Sequence, residues 1–159
     1  ERRLEILKDS NSGAFAIIFG IVYFLLSFGL WSQVSLEGMK LLAVGFVLSR
    51  SLSALAVVSF PCAKKSGLVA LFVKNAQKNT VKAVMAGYIL ICLALLISIG
   101  GWTGAACFGA AICVLAYYHH MAISKFGGVT GDLAGFFLQV CELFMALAVV
   151  ICEVAGGLL

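Results

Sequence analysis

Charge is scarce in this sequence. Only 11% of its 159 residues are charged, while 63% are hydrophobic; soluble domains carry about 25% charge and about 45–50% apolar residues. The length would suit one soluble domain, but the composition excludes it. Short alternating apolar and polar segments are missing, which excludes a transmembrane β-barrel. Disorder is excluded by the amount of surface that must be buried. CxxC pairs are absent too. The six cysteines are Cys62, Cys92, Cys107, Cys113, Cys141 and Cys152, five of them inside apolar blocks. They read as small buried hydrophobes rather than metal ligands or disulfides. No full-length repeat is visible. The opening Glu1–Asp9 is charged and amphipathic rather than a signal peptide, because apolar sequence begins only after Ser12. A start at Glu1 without a methionine predicts that residues precede it.

What the sequence has is apolar blocks of spanning length, about 17–25 residues. They cover residues 14–31, 39–60, 83–99, 102–121 and 133–155. The fold class expected is an all-α, polytopic integral membrane helix bundle of about five spans, because unpaired backbone cannot face lipid. Residues 83–121 as one helix would extend about 58 Å, against a hydrocarbon core of about 30 Å; Gly100-Gly101 therefore reads as a tight turn between two spans. Five spans put Arg2, Arg3, Lys8, Lys64, Lys65, Lys74, Lys78, Lys82 and Lys125 on one face, and Lys40 on the other. That asymmetry predicts a cytoplasmic crowded face, with residues 61–82 as a basic cytoplasmic connection. Its cations also suit anionic lipid headgroups or an anionic substrate. Within it, Leu68–Val73 is apolar and fits either a short interfacial amphipathic helix or a packed loop.

Several polar residues need an explanation. Arg50 lies near the middle of the second block, flanked by Ser49, Ser51 and Ser53. Such a charge faces protein or a water-filled cleft, either meeting a substrate phosphate or carboxylate or forming an ion pair. Glu142 falls near mid-depth of the last block with Gln139 on the same face, and an Arg50–Glu142 pair would satisfy both charges. A metal contact is the other reading of Glu142 and Gln139. Glu153 is expected near the opposite surface, solvated. Tyr117 and Tyr118 are expected as interface anchors. His119 and His120 point in different directions, so they form no ready metal pair; catalysis and simple water access both remain open. Small residues such as Ala105, Ala106, Gly109 and Ala110 are expected to admit close helix approach.

The string Gly127-Gly128-Val129-Thr130-Gly131-Asp132 carries three glycines in five residues, permitting tight turning and close ligand approach. Asp132 either caps the helix that follows or offers a carboxylate to a hard divalent cation. The Lys-Ser/Thr that follows the glycines of a phosphate loop is lacking.

That string, followed by Gly135 and Glu142-Leu143, resembles the bacterial cobalamin synthase family, adenosylcobinamide-GDP ribazoletransferase. Leu4-Glu5-Ile6 with Lys8-Asp9-Ser10 is similar to the family's approach to a hydrophobic span. Ser49-Arg50 and the later Pro61, Ala63-Lys64-Lys65 and Gly67-Leu68 match more loosely, and the matches occur in family order over nearly the whole chain. The family's acidic segment, a His-x-Asp-Gly with further spaced aspartates, has no counterpart here. The sequence therefore reads as the C-terminal two-thirds of a longer enzyme, inactive alone. Asn11 stands where the family usually has Arg, and Ser66 where an acidic residue is common.

The resemblance implies transfer of a GDP-activated adenosylcobinamide phosphate moiety to α-ribazole or its 5′-phosphate, with release of GMP. It implies Mg²⁺ as cofactor, Asp132, Asp9 and Glu142 as catalytic or supporting carboxylates, and Asp9 and Asp132 as supporting metal ligands. Arg50, Lys64 and Lys65 are implied as phosphate-binding residues, and Gly127, Gly128, Thr130 and Gly131 as the glycine turn. The partners implied are adenosylcobinamide-GDP, the ribazole acceptor and the bilayer, with no nucleic acid and a possible homo-oligomer. The place implied is the bacterial inner membrane, multi-pass, active face cytoplasmic. A membrane transporter component and a noncatalytic membrane scaffold are the alternatives.

Overall fold

The computed structural model describes residues 13–63 and 68–157. Among them are six helices: α1 (Ala14–Trp31), α2 (Leu36–Ser59), α3 (Leu68–Asn75), α4 (Lys78–Gly100), α5 (Trp102–Phe126) and α6 (Gly131–Ala155). All but α3 are long and apolar enough to cross a membrane. At 1.5 Å per residue the longer ones reach about 37 Å, enough to span about 30 Å of hydrocarbon with some tilt. The all-α class is thus the one observed; extended pairing among the described residues is limited to a bridge between Cys62 and Val129.

The helix ends are written in local chemistry. The Ser35 hydroxyl accepts the Gly38 N–H at 3.0 Å and caps α2. The Thr130 hydroxyl accepts the Leu133 N–H at 3.3 Å and caps α6, so of the two readings of Asp132 the capping role falls to Thr130. Asp132 sits exposed in the first turn, where a negative charge suits the helix dipole. At the end of α5 the Gly127 N–H meets the Ile123 carbonyl at 3.1 Å, and the Gly128 N–H meets Ala122 at 3.0 Å. The Gly127 bond is the 5→1 bond of the αL motif, with Gly127 left-handed at φ 73°.

α2 is the central helix. Half of its most apolar window is buried, against none for α1, and it packs on α4, α6 and α5. Leu48 and Leu52 of α2, Leu96 of α4, Cys107 of α5, and Phe137 and Met145 of α6 fill the middle. α4 and α5 form a hairpin around Gly101, whose φ of +50° suits a glycine turn. They approach closely at Gly104, where a Cβ would lie 1.8 Å from the Leu96 carbonyl oxygen. The expectation that Gly109 serves such an approach is corrected: a Cβ there would meet nothing within 4 Å.

Burial revises two other expectations. Cys92, Cys107 and Cys141 are buried, but Cys113 is exposed. Tyr117 is exposed, whereas Tyr118 is 1% exposed and packed on Phe137 at 5.0 Å between ring centroids; it belongs to the core rather than to an interface anchor. In the basic interval, α3 is helical and Lys78 and Lys82 lie in the first turns of α4.

Candidate functional site

α2 and α6 run antiparallel and are tied at three levels. At one end, the segment after α2 lies against the glycine turn before α6. Val129 N–H donates to the Pro61 carbonyl at 2.8 Å, and Ala63 N–H to the Val129 carbonyl at 3.1 Å. Gly128 makes this possible. Its φ is +151°, and a Cβ there would lie 2.3 Å from the Pro61 oxygen and 2.6 Å from Ala63 nitrogen. Gly131 lies beside α3, where a Cβ would sit 3.7 Å from the Val69 side chain. The fold therefore joins the basic connection to the glycine turn.

Midway along both helices, Arg50 Nη1 donates to Glu142 Oε1 at 2.5 Å. The same carboxylate oxygen accepts the Ser49 hydroxyl at 3.0 Å, and the guanidinium also reaches the Phe46 carbonyl at 2.9 Å. Arg50 lies over the Phe46 ring, 5.5 Å from its centroid, and Phe46 in turn stacks on Trp31 at 6.0 Å. Of the two sequence readings of Arg50, the ion pair is therefore present. The pair is lopsided: the Glu142 side chain is 17% exposed and that of Arg50 58%. Arg50 also borders a recess of about 250 Å³ with Val47, Ser51, Met85 and Tyr88.

At the far end lies a residue whose setting differs from expectation. Glu153 is 3% exposed rather than solvated. It accepts the Ser35 N–H at 3.1 Å and the Ser35 hydroxyl, while Gly38 leaves room for its carboxylate. The carboxylate thereby satisfies the start of α2 from outside that helix. A signal was available: Glu153 follows Glu142 by eleven residues, just over three helical turns, so both acids share the face of α6 that meets α2.

Asp9, Lys64 and Lys65 lie outside the described residues. Asp132, Thr130 and the three turn glycines stand together at the clamped end; Arg50 and Glu142 stand deeper in the bundle, about 15 Å farther along α6 than Asp132. His119 is exposed and packs edge-on against Phe60 at 4.5 Å. No group of three or more His, Cys, Asp or Glu that could hold a metal ion occurs among the described residues. Asp132 alone is one exposed carboxylate, so these residues do not by themselves compose a Mg²⁺ site. A second recess, of about 420 Å³, is lined by Cys113, Val114, Tyr117, Phe136, Val140 and Phe144; its walls are almost wholly apolar, as suits a lipid-facing groove.

Five apolar helices around a charged pair, with a glycine turn locked to a basic connection at one end, define a multi-pass helical membrane protein. More particularly, the chain belongs to the CobS family, described as cobalamin-5-phosphate synthase, whose family model matches residues 1–150. It is 49% identical over 160 aligned residues to an adenosylcobinamide-GDP ribazoletransferase of Lachnoclostridium phytofermentans, covering 96% of this chain and 59% of that protein. Proteins of the same description from Clostridium botulinum strain Alaska E43 and Pseudomonas putida strain W619 are 32% and 30% identical, over 90% and 92% of this chain and 57% and 59% of their own lengths. The chain thus spans under three-fifths of these curated relatives. No solved structure matches it.

Proposed function

We propose that this chain forms the larger, membrane-embedded part of an adenosylcobinamide-GDP ribazoletransferase acting in assembly of the cobalamin nucleotide loop. In the reaction, a hydroxyl oxygen of α-ribazole or its 5′-phosphate bonds to the phosphorus on the cobinamide side of the pyrophosphate. The bridging P–O bond breaks, GMP leaves with that oxygen, and the acceptor's proton passes to solvent. The observation that carries this reading is the fit of Gly128 against Pro61 and Ala63. It brings the family's glycine turn beside the segment leading into Lys64 and Lys65, so that cations and close-approaching backbone serve one phosphate-bearing substrate.

The roles proposed for individual residues follow from charge. Lys64 and Lys65 offset negative charge on the pyrophosphate, which grows on the phosphoryl oxygens as GMP departs; Arg50, about 15 Å deeper and paired with Glu142, adds to the positive field without touching the same phosphates. Asp132, exposed at the start of α6, is a supporting carboxylate for Mg²⁺ or for an ordered water. Asp9 takes the same role, and Glu142 acts through Arg50 by holding its guanidinium. Mg²⁺ is the ion such chemistry wants, but one carboxylate is too little to hold it, and no step is assigned through it. The active face proposed is the cytoplasmic one of a bacterial inner membrane. The centre of the bundle is filled by Leu48, Leu52, Phe137 and Met145, which gives the transporter alternative no central path among the described residues.

The test is a Mg²⁺-dependent synthase assay on the full-length protein beside the 159-residue chain. Activity is expected only from the former; full activity from the shorter chain would overturn the assignment of the main metal ligands to residues beyond it. Asp132→Asn in the full-length protein should lower turnover at unchanged membrane abundance. Loss of abundance alone would reduce Asp132 to a helix-end charge.

A further inference from the structure

One face of α6 changes character halfway along the helix. Glu142, Ala146, Val149 and Glu153 share that face by helical spacing; below Glu142 it is covered, with Ala146, Val149 and Glu153 all buried. Above Glu142 the same face carries Gln139, Gly135 and Asp132, and all three are exposed. The exposed half is polar or small, while the lipid-facing stripe of α6 is apolar: Phe136, Phe144, Leu147, Ile151 and Val154. A polar face at membrane depth cannot stand against acyl chains without cost. Arg50 is more than half exposed at the lower limit of this face, a second charge that hydrocarbon would not accept.

The neighbouring helix, α1, touches α6 but leaves Asp132, Gly135 and Gln139 exposed. No residue of α1 is buried; in its last turn Leu30 packs on the core and Trp31 stacks on Phe46. We infer that Asp132, Gly135 and Gln139 line a water-filled cleft, open at the end bearing the glycine turn and floored near mid-bilayer by the Arg50–Glu142 pair. It admits hydrophilic groups to that depth and goes no farther, because below Glu142 the face is sealed by packing. The inference needs no particular reaction, so it stands or falls apart from the proposed activity.

Cysteine accessibility in native membranes tests it, using the full-length protein with Cys62, Cys113 and Cys152, the three that are not buried, changed to alanine. Gln139→Cys and Gly135→Cys place thiols on the polar face; at Gly135 a Cβ meets nothing within 4 Å, so the change fits. Leu147→Cys and Ile151→Cys place them on the apolar face. A permanently charged methanethiosulfonate should label positions 135 and 139 about tenfold or more faster than 147 and 151, since the reacting thiolate forms only in water. Labelling should come from one side only, the side that labels Lys125→Cys. Rates at 139 and 135 no greater than at 151, in protein that labels fully once denatured, would mean lipid or another helix covers the face. Equal labelling from both sides would replace the cleft with a through-path; either result overturns the inference.

Discussion

Glu142 is the residue on which the interior electrostatics turn, because one of its oxygens receives both Arg50 and Ser49. Glu142→Leu should leave the Arg50 guanidinium without its anion, a loss that water partly offsets because that side chain is 58% exposed. Adding Arg50→Met should recover much of that loss, giving a coupling of about 0.5–3 kcal/mol when the four proteins are unfolded in detergent. Additive losses would mean the pair is idle. Glu153→Ala should likewise lower stability, because the Ser35 N–H and hydroxyl lose their acceptor. The two acids were not equally legible. Glu142 could be matched with Arg50 because each was a lone charge near the middle of its block. Glu153 stood near a block end, where distance from the centre suggests water; its burial depends on Gly38 letting α6 come close, a tertiary fact. Tyr118 and Tyr117 show the same limit, since adjacent residues on a helix face different neighbours and only packing decides which is covered.

At the scale of helices and turns, apolar length is a strong signal because lipid forces backbone hydrogen bonds inside each segment. Hence five spanning helices were legible, and so was the Gly100-Gly101 break. Which small residue carries a helix contact was not legible. Gly109 and Gly104 look alike in composition, yet a Cβ meets nothing within 4 Å at one and backbone at 1.8 Å at the other. Gly104→Ala should therefore force α4 and α5 apart and lower the melting temperature markedly, while Gly109→Ala should be neutral or slightly stabilising by helix propensity. Equal effects would remove the assigned contact. The glycine turn offers a parallel pair. Gly128→Ala adds a Cβ to a backbone at φ +151° already against Pro61 and Ala63, costing about 1–3 kcal/mol from the backbone alone. Gly131→Ala, with 3.7 Å to Val69, should be tolerated. Comparing their thermal melts separates the clamp from a general need for glycine.

For the whole molecule, the three ties between α2 and α6 fix which ends of the bundle lie together, and that has a consequence for the membrane. The Cys62–Val129 bridge holds the residue 61–63 segment and the glycine turn at one end. Ser35 and Glu153 meet at the other, and Glu37 pairs with Lys40 near that end, at 2.7 Å. Lys74, in the last turn of α3, and Lys125, in the last turn of α5, therefore belong to the clamped end. If that end is the cytoplasmic one, as the lysine asymmetry proposes, Lys74→Cys and Lys125→Cys must react with an impermeant thiol reagent only from the cytoplasmic side. Lys40→Cys must react only from outside. The pairing of the first two is the sharper demand, because it depends on the fold and not on the direction of insertion. A bundle inserted upside down would exchange the sides yet keep Lys74 and Lys125 together. Finding those two on opposite faces would require the Gly128 contact to be broken in the membrane, and with it the shared phosphate site that the basic connection and the glycine turn are proposed to form.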